Sequence, residues 1–148
     1  MGAGITFKNL TIGYRSKHLL RAVASSVHAS LLEDKLTCLI GANGVGKSTL
    51  LRTLSGFQPP LDGEILIQDK PLSAYSAREL AQEIGVVLTT RMDTPQLSVQ
   101  EIVGIGRSPY TGFWGTLSPA DKKIVDEAIR QTGIQHLASR SITELSDG

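Results

Sequence analysis

Residues 41–49 read Gly41-Ala42-Asn43-Gly44-Val45-Gly46-Lys47-Ser48-Thr49, and the first eight match the pattern G-x-x-x-x-G-K-[ST] without a mismatch. Glycines let the backbone curl so that successive N–H groups point at one anion, and a helix N-terminus adds partial positive charge. In this pattern the lysine, here Lys47, reaches the β- and γ-phosphates, and the following hydroxyl, here Ser48, coordinates Mg²⁺. The loop therefore predicts a site for the phosphates of ATP or a close relative. The alternative is a glycine-rich turn that only joins a strand to a helix.

The segments on either side of the loop favour a layered α/β fold. Residues 36–40 form a short, nearly continuous apolar run, which is typical of a strand buried on both faces in a parallel sheet. Residues 47–55 predict a helix that ends at Gly56, and residues 84–88 predict a second apolar strand. Because strands and helices alternate after residue 36, we expect a parallel core sheet with flanking helices.

The first 35 residues predict an added antiparallel β ribbon. The apolar residues Ile5 and Phe7 fall at odd positions of an alternating pattern, whereas the apolar Leu10 falls at an even position. A phase change of one residue turns the side chains to the opposite face of a strand, so residues 8–9 predict a bulge. A second alternating run follows at residues 23–31, as a strand paired with the first would require.

Three further helix starts share one capping pattern. Each places a serine hydroxyl at the N-cap and a carboxylate three residues later, where the two groups can satisfy each other's backbone N–H. The three pairs are Ser76 with Glu79, Ser98 with Glu101, and Ser118 with Asp121.

Composition limits the classes of function. Fifteen basic residues against fourteen acidic ones give a net charge of +1, which provides no basic field for nucleic acid or an anionic membrane. The single cysteine, Cys38, cannot form an internal disulfide, and its position predicts a small buried hydrophobe in a reducing compartment. The three histidines are too scattered to predict a metal site. Trp114 is expected to pack as a local hydrophobic plug, with a docking anchor as the alternative.

Three segments in this order resemble an ATP-binding cassette (ABC) ATPase. They are GANGVGKSTLLRTLSG at residues 41–56, DGEI at residues 62–65, and LSDG at residues 145–148, which looks like the opening of that family's LSGGQ signature. The segment SVQEIVGIGRSPY at residues 98–110 resembles the subgroup that serves iron-siderophore, haem and cobalamin importers. The resemblance implies the P-loop NTPase fold of ABC ATPases, with ATP and Mg²⁺ as cofactors.

The resemblance also implies roles for residues outside the loop. Tyr14 matches the aromatic residue that stacks on adenine, the alternative being an ordinary strand tyrosine. Ser146 and Gly148 match signature residues that act on the nucleotide of a second ATPase subunit. Where the family has a glutamine that touches Mg²⁺ and the membrane subunits, this sequence has Thr89, followed by Thr90. The family's catalytic residues would lie beyond Gly148, so we expect none within these 148 residues.

These expectations define a domain organisation and a function. Residues 1–148 would be the N-terminal part of one ABC ATP-binding domain, with a β ribbon at 1–35, a P-loop core at 36–88 and a helical region at 89–148. The resemblance implies an ATPase subunit that energises import of an iron-siderophore, haem or cobalamin complex. Its partners would be a second copy and integral-membrane permease subunits, at the inner face of the cell membrane. The alternatives are a nucleotide-binding fragment without turnover, and a soluble ABC ATPase of DNA repair or translation.

Overall fold

The computed structural model describes residues 3–17, 19–88 and 97–145. The chain divides into two compact units, Met1–Val86 and Val87–Gly148. The strands and helices, in chain order, are β1 Ala3–Arg15, β2 Leu20–Leu32, α1 Lys47–Leu54, β3 Asp62–Ile67, β4 Lys70–Pro71, α2 Ala77–Glu83, α3 Val99–Ile105 and α4 Pro119–Gln131. Short 3-10 turns lie at Leu72–Ala74, Ser108–Tyr110, Gln135–Leu137 and Ile142–Glu144.

The sheet of the first unit is antiparallel, with the strand order β2-β1-β3-β4. Strands β1 and β2 form the predicted ribbon. The predicted bulge is confirmed, because the register between the two strands shifts between Phe7 and Leu10. Asn9, inside this interval, has φ of 50°, a left-handed conformation that asparagine tolerates better than most residues. The bulge keeps apolar residues on one face of β1 despite the change of parity.

The core of the first unit lies between this sheet and α1. Phe7, Leu10 and Ile12 of β1 pack with Leu54 of α1 and Ile65 of β3. Helix α1 ends as predicted, with Ser55 at the C-cap and Gly56 in the left-handed region at φ of 75°. The ribbon therefore buries one face of α1, the helix that follows the glycine-rich loop, while Leu51 on another face stays exposed.

The two predicted core strands are not strands among the described residues. Residues 36–40 and 84–88 have no regular structure, and Leu36, Ile40 and Val87 are 93%, 90% and 99% exposed. A strand needs hydrogen-bonded neighbours, and the sheet of the described residues pairs only β1 to β4. The parallel sheet expected from the apolar pattern is therefore not formed in this part of the chain. Cys38 is exposed for the same reason, so its predicted burial is also wrong.

All three predicted capping boxes are confirmed. In each, the serine hydroxyl accepts from the backbone N–H of the acidic residue, whose carboxylate accepts from the serine N–H. The backbone N–H and hydroxyl of Ser76, with the ammonium of Lys70, lower the pKa of Glu79 to about 2. Hydrogen bonds from the Ser118 hydroxyl and the Arg107 guanidinium likewise lower the pKa of Asp121.

The second unit is built on α3 and α4, with Val99, Val125 and Ile129 buried. The turn after α3 is fixed by Arg107, whose Nε donates to Asp121 at 2.9 Å and whose guanidinium lies over the Tyr110 ring. The loop that follows presents Trp114 to solvent, 87% exposed, so the predicted hydrophobic plug is wrong. Its ring makes an edge contact with Phe113, which is also exposed, so the contact does not bury the tryptophan.

Among the described residues, none of the helices has both the length and the apolar character that crossing a bilayer would require.

Candidate nucleotide-binding site

The loop between residue 40 and α1 has the backbone geometry that its glycines predict. Gly44 and Gly46 have φ of 81° and 108°, a region that L side chains rarely adopt. Gly46 is the N-cap of α1, and a Cβ there would lie 2.6 Å from the Val23 side chain of β2. Both the backbone conformation and the close approach of the ribbon therefore require glycine at this position.

Lys47 is the first residue of α1 and folds back over the loop. Its Nζ donates to the carbonyl oxygens of Gly41 at 2.7 Å and Ala42 at 2.8 Å. An ammonium group carries three N–H donors, so one remains available for an anion above the loop. The two carbonyls thus hold the charge of Lys47 at the mouth of the loop without neutralising it.

Backbone N–H groups of the loop add to this positive field. Within the part of the chain that the structure describes, no hydrogen-bond acceptor is assigned to the N–H groups of residues 43, 44 and 46–49. The first turn of any helix leaves such donors free, and here the glycines add donors from the loop itself. The arrangement suits a polyphosphate, whose several oxygens can accept from many donors at once.

The Ser48 side chain is exposed and makes no hydrogen bond among the described residues, so its hydroxyl is open to a ligand or metal ion. No cluster of three or more histidine, cysteine or acidic side chains forms in the ranges 3–17, 19–88 and 97–145. Ser48 could hold a cation here, since Mg²⁺ is commonly bound by one or two protein groups together with phosphates.

Tyr14 lies next to the loop, although it is distant in sequence. Its hydroxyl lies 3.0 Å from Oγ1 of Thr49, which is buried in the first turn of α1. The tyrosine side chain is 55% exposed, so an aromatic surface remains accessible beside the phosphate site. The structure thus brings Tyr14 and residues 41–49 together. It also adds two residues that the sequence did not indicate. Val23 lies against Gly46, and the Gln58 amide donates to the carbonyl of Gly13 at 3.1 Å. Neither residue belongs to a recognisable motif.

Four predicted site residues, Thr89, Thr90, Ser146 and Gly148, lie outside the described residues. Their assigned roles, contact with membrane subunits for the first two and action on a partner's nucleotide for the others, remain predictions.

Comparison with known proteins identifies the family. The model of the ABC transporter family matches residues 24–148. An uncharacterized ABC transporter ATP-binding protein of Haemophilus influenzae is 40% identical over 141 residues, which are 95% of this chain and 52% of that protein. The ferric enterobactin transport ATP-binding protein FepC of Escherichia coli is 35% identical, with 95% and 51% covered. The hemin import ATP-binding protein HmuV of Bordetella avium is 39% identical, with 86% and 48% covered.

Solved structures agree with these sequence relatives. A metal-chelate type ABC transporter in an inward-facing conformation matches 99% of this chain and 51% of its own, with 27% identity and a TM-score of 0.74. A dimeric ATP-binding cassette bound to ADP and phosphate matches 96% of this chain and 63% of its own, with 23% identity and a TM-score of 0.78. These likenesses confirm the ABC-ATPase fold predicted from the sequence.

The chain spans about half the length of the curated relatives that it matches. Residues 24–148, which include the glycine-rich loop, α1 and both helices of the second unit, are nevertheless matched as one family sequence. From this match and from identities of 35–40% to named ATP-binding proteins, the chain belongs to the ABC transporter ATP-binding family.

Proposed function

We propose that this chain is the N-terminal part of an ATP-binding subunit that energises import of an iron-siderophore, haem or cobalamin complex. The observation that carries the proposal is the loop itself, in which Lys47 and several N–H groups without an assigned acceptor among the described residues lie at the start of α1. A site of this kind favours a polyphosphate over a single carboxylate or phosphate, since its many donors can bind several oxygens at once.

The import role is supported by the named relatives and by one segment of the chain. The sequence relatives include transport ATP-binding proteins for ferric enterobactin and hemin. The segment at residues 98–110, by which the chain resembles that subgroup, forms α3 and the Arg107–Tyr110 turn.

Within this function the remaining site residues have defined roles. Ser48 would hold Mg²⁺ against the phosphates, and the Tyr14 ring would stack on the adenine. Ser146 and Gly148 would act on the nucleotide of a second ATPase subunit, while Thr89 and Thr90 would face the membrane permease. A subunit with these partners would work at the inner face of the membrane.

The nucleotide site is tested by Lys47→Ala. Loss of a charge-assisted contact costs about 1.5–3 kcal/mol, which corresponds to a roughly tenfold to hundredfold weaker affinity for MgATP. Titration of a fluorescent ATP analogue measures this, with Lys17→Ala as the control because it removes the same charge from an exposed position outside the loop. Equal affinities of Lys47→Ala and the unmodified protein would refute the site.

The import role is tested in cells. Deleting the reading frame that contains this sequence should abolish growth when one ferric siderophore, haem or cobalamin is the required nutrient. Growth should stay intact on medium with free iron that requires no uptake of haem or cobalamin. The unmodified gene should restore growth, and the Lys47→Ala gene should not. Unchanged growth on every such source would contradict the import role while leaving nucleotide binding untouched.

A second candidate is a nucleotide-binding fragment without turnover. The exposed apolar segments 36–40 and 84–88 favour it, since the sheet that should bury them is not formed among the described residues. The purified 148-residue chain should then release no phosphate from ATP in a malachite-green assay. Release that Lys47→Ala abolishes would rule this candidate out.

A further inference from the structure

Two consecutive residues of β1 make hydrogen bonds on either side of α1, one to its first turn and one to a residue beyond its C-cap. The Tyr14 hydroxyl reaches Thr49 Oγ1 in the first turn, at 3.0 Å. The carbonyl of Gly13 accepts from Nε2 of Gln58, beyond the last turn, at 3.1 Å. We name this pair of contacts the α1 clasp. Because both contacts join residues far apart in sequence, the clasp fixes the helix relative to the ribbon.

The contact with Thr49 lies where the phosphates would bind. Thr49 belongs to the first turn of α1, and its N–H is among the loop donors that have no assigned acceptor within the described residues. Its side chain is only 5% exposed, so the Tyr14 hydroxyl is held against a buried partner rather than against water. A shift of this turn would move the N–H groups of residues 47–49 together, since they belong to one rigid helical segment.

We propose that Tyr14 is a positioning residue for the phosphate site, acting through its hydroxyl on Thr49 and hence on the first turn of α1. This role is separate from any stacking of its ring on the adenine, and it rests on the proposed nucleotide site. The loop has a second point of attachment, where Gly46 packs against Val23. Losing the Tyr14 hydroxyl should therefore loosen the phosphate site without dismantling it.

The two roles of Tyr14 separate in Tyr14→Phe, which keeps the ring and removes the hydroxyl. Inorganic tripolyphosphate and adenosine are used as separate probes, each competing with a fluorescent ATP analogue. The loss of one neutral hydrogen bond predicts a two- to tenfold weaker affinity for tripolyphosphate and an unchanged affinity for adenosine. Thr49→Val, which removes the other hydroxyl, should weaken tripolyphosphate binding similarly.

The double variant Tyr14→Phe/Thr49→Val tests whether the two hydroxyls act as one unit. It should bind tripolyphosphate no more than about twofold more weakly than either single variant, since the same hydrogen bond is lost each time. Tyr75→Phe is the matched control, because it deletes a tyrosine hydroxyl of the same unit that donates to the Ile67 carbonyl at 2.9 Å. It should leave both affinities unchanged.

Three outcomes would overturn the inference: full affinity of Tyr14→Phe for tripolyphosphate, a loss confined to adenosine, or an equal loss in Tyr75→Phe. Thr49→Val provides the same test from the other partner if Tyr14→Phe does not fold. Lys47→Ala in the same assay separates this inference from the proposed function. If Lys47→Ala weakens tripolyphosphate binding while Tyr14→Phe does not, the site stands and the positioning role fails.

Discussion

The ribbon that packs against α1 and the segment that leads into the glycine-rich loop both carry apolar residues, yet these residues differ sharply in burial. Ile12, in the ribbon beneath α1, is 1% exposed, whereas Ile40, next to the first glycine of the loop, is 90% exposed. Ile12 lies on β1, which pairs with a strand on each side. Residues 36–40 pair with none of the described strands. In these two apolar segments, burial therefore follows the presence of paired strands and not apolar character alone.

The paired ribbon, and not the exposed segment at residues 36–40, supports the backbone of the glycine-rich loop. Its support comes from the ribbon and α1, through Val23, Tyr14 and the core residues Leu10 and Leu54. None of these contacts depends on residues 36–40. The glycine-rich loop is therefore supported from the antiparallel side of the fold, and the segment that precedes it contributes little to its shape.

The largest effect that separates the two regions is on folding stability. Ile12→Ala should lower the free energy of unfolding by about 2–5 kcal/mol, because it leaves a cavity in the core. The same change at Ile40 should stay within about 0.5 kcal/mol, because the side chain is exposed. Chemical denaturation of both variants measures the difference. A cost at Ile40 equal to that at Ile12 would mean that a further strand covers residue 40 in solution.

A smaller effect is expected from a charge in the second exposed segment. Val87→Asp should change the free energy of unfolding by no more than about 0.5 kcal/mol, since Val87 is 99% exposed. It should raise solubility, because a charge blocks the pairing of an open apolar segment with another chain. Light scattering at increasing concentration measures this. Ile124→Asp on α4 is the control, since its half-exposed helical position offers no open strand.

Strong destabilisation by Val87→Asp would contradict the exposure of this segment. Equal gains in solubility for Val87→Asp and Ile124→Asp would show that net charge, and not the open segment, governs association.

The smallest expected effect is on the pH dependence of stability and concerns α2, which lies between the sheet and the exposed segment at residues 84–88. Ser76 and Lys70 lower the pKa of Glu79 to about 2, so its ionised form stabilises the folded state. That contribution is complete above the unfolded pKa of about 4.3 and is lost as the pH falls towards 2. Glu79→Gln should therefore remove part of the acid dependence of the thermal midpoint between these values.

Glu83→Gln is the matched control, since it removes a carboxylate from the last residue of the same helix without touching Ser76. It should retain the acid dependence of the unmodified protein. An equal change in both variants would assign the effect to net charge rather than to the capping box.

The accuracy of the sequence predictions depended on whether a feature was local. The capping boxes at Ser76, Ser98 and Ser118 were predicted correctly, since each needs only residues three positions apart. The bulge near Asn9 was predicted from a change of parity within one strand. Burial of Cys38 and Trp114 was predicted wrongly, because burial depends on which distant segments arrive to cover a side chain.

For the site itself, the sequence determined the loop at residues 41–49, the positions that require glycine, and the charge of Lys47. These properties follow from backbone conformation and from residue type, which are local. Only the tertiary structure decided that Val23 supports Gly46, that the Tyr14 hydroxyl reaches Thr49, and that residues 36–40 and 84–88 stay exposed. These depend on contacts between segments far apart in the chain, and on whether a neighbouring strand is present to satisfy the backbone hydrogen bonds.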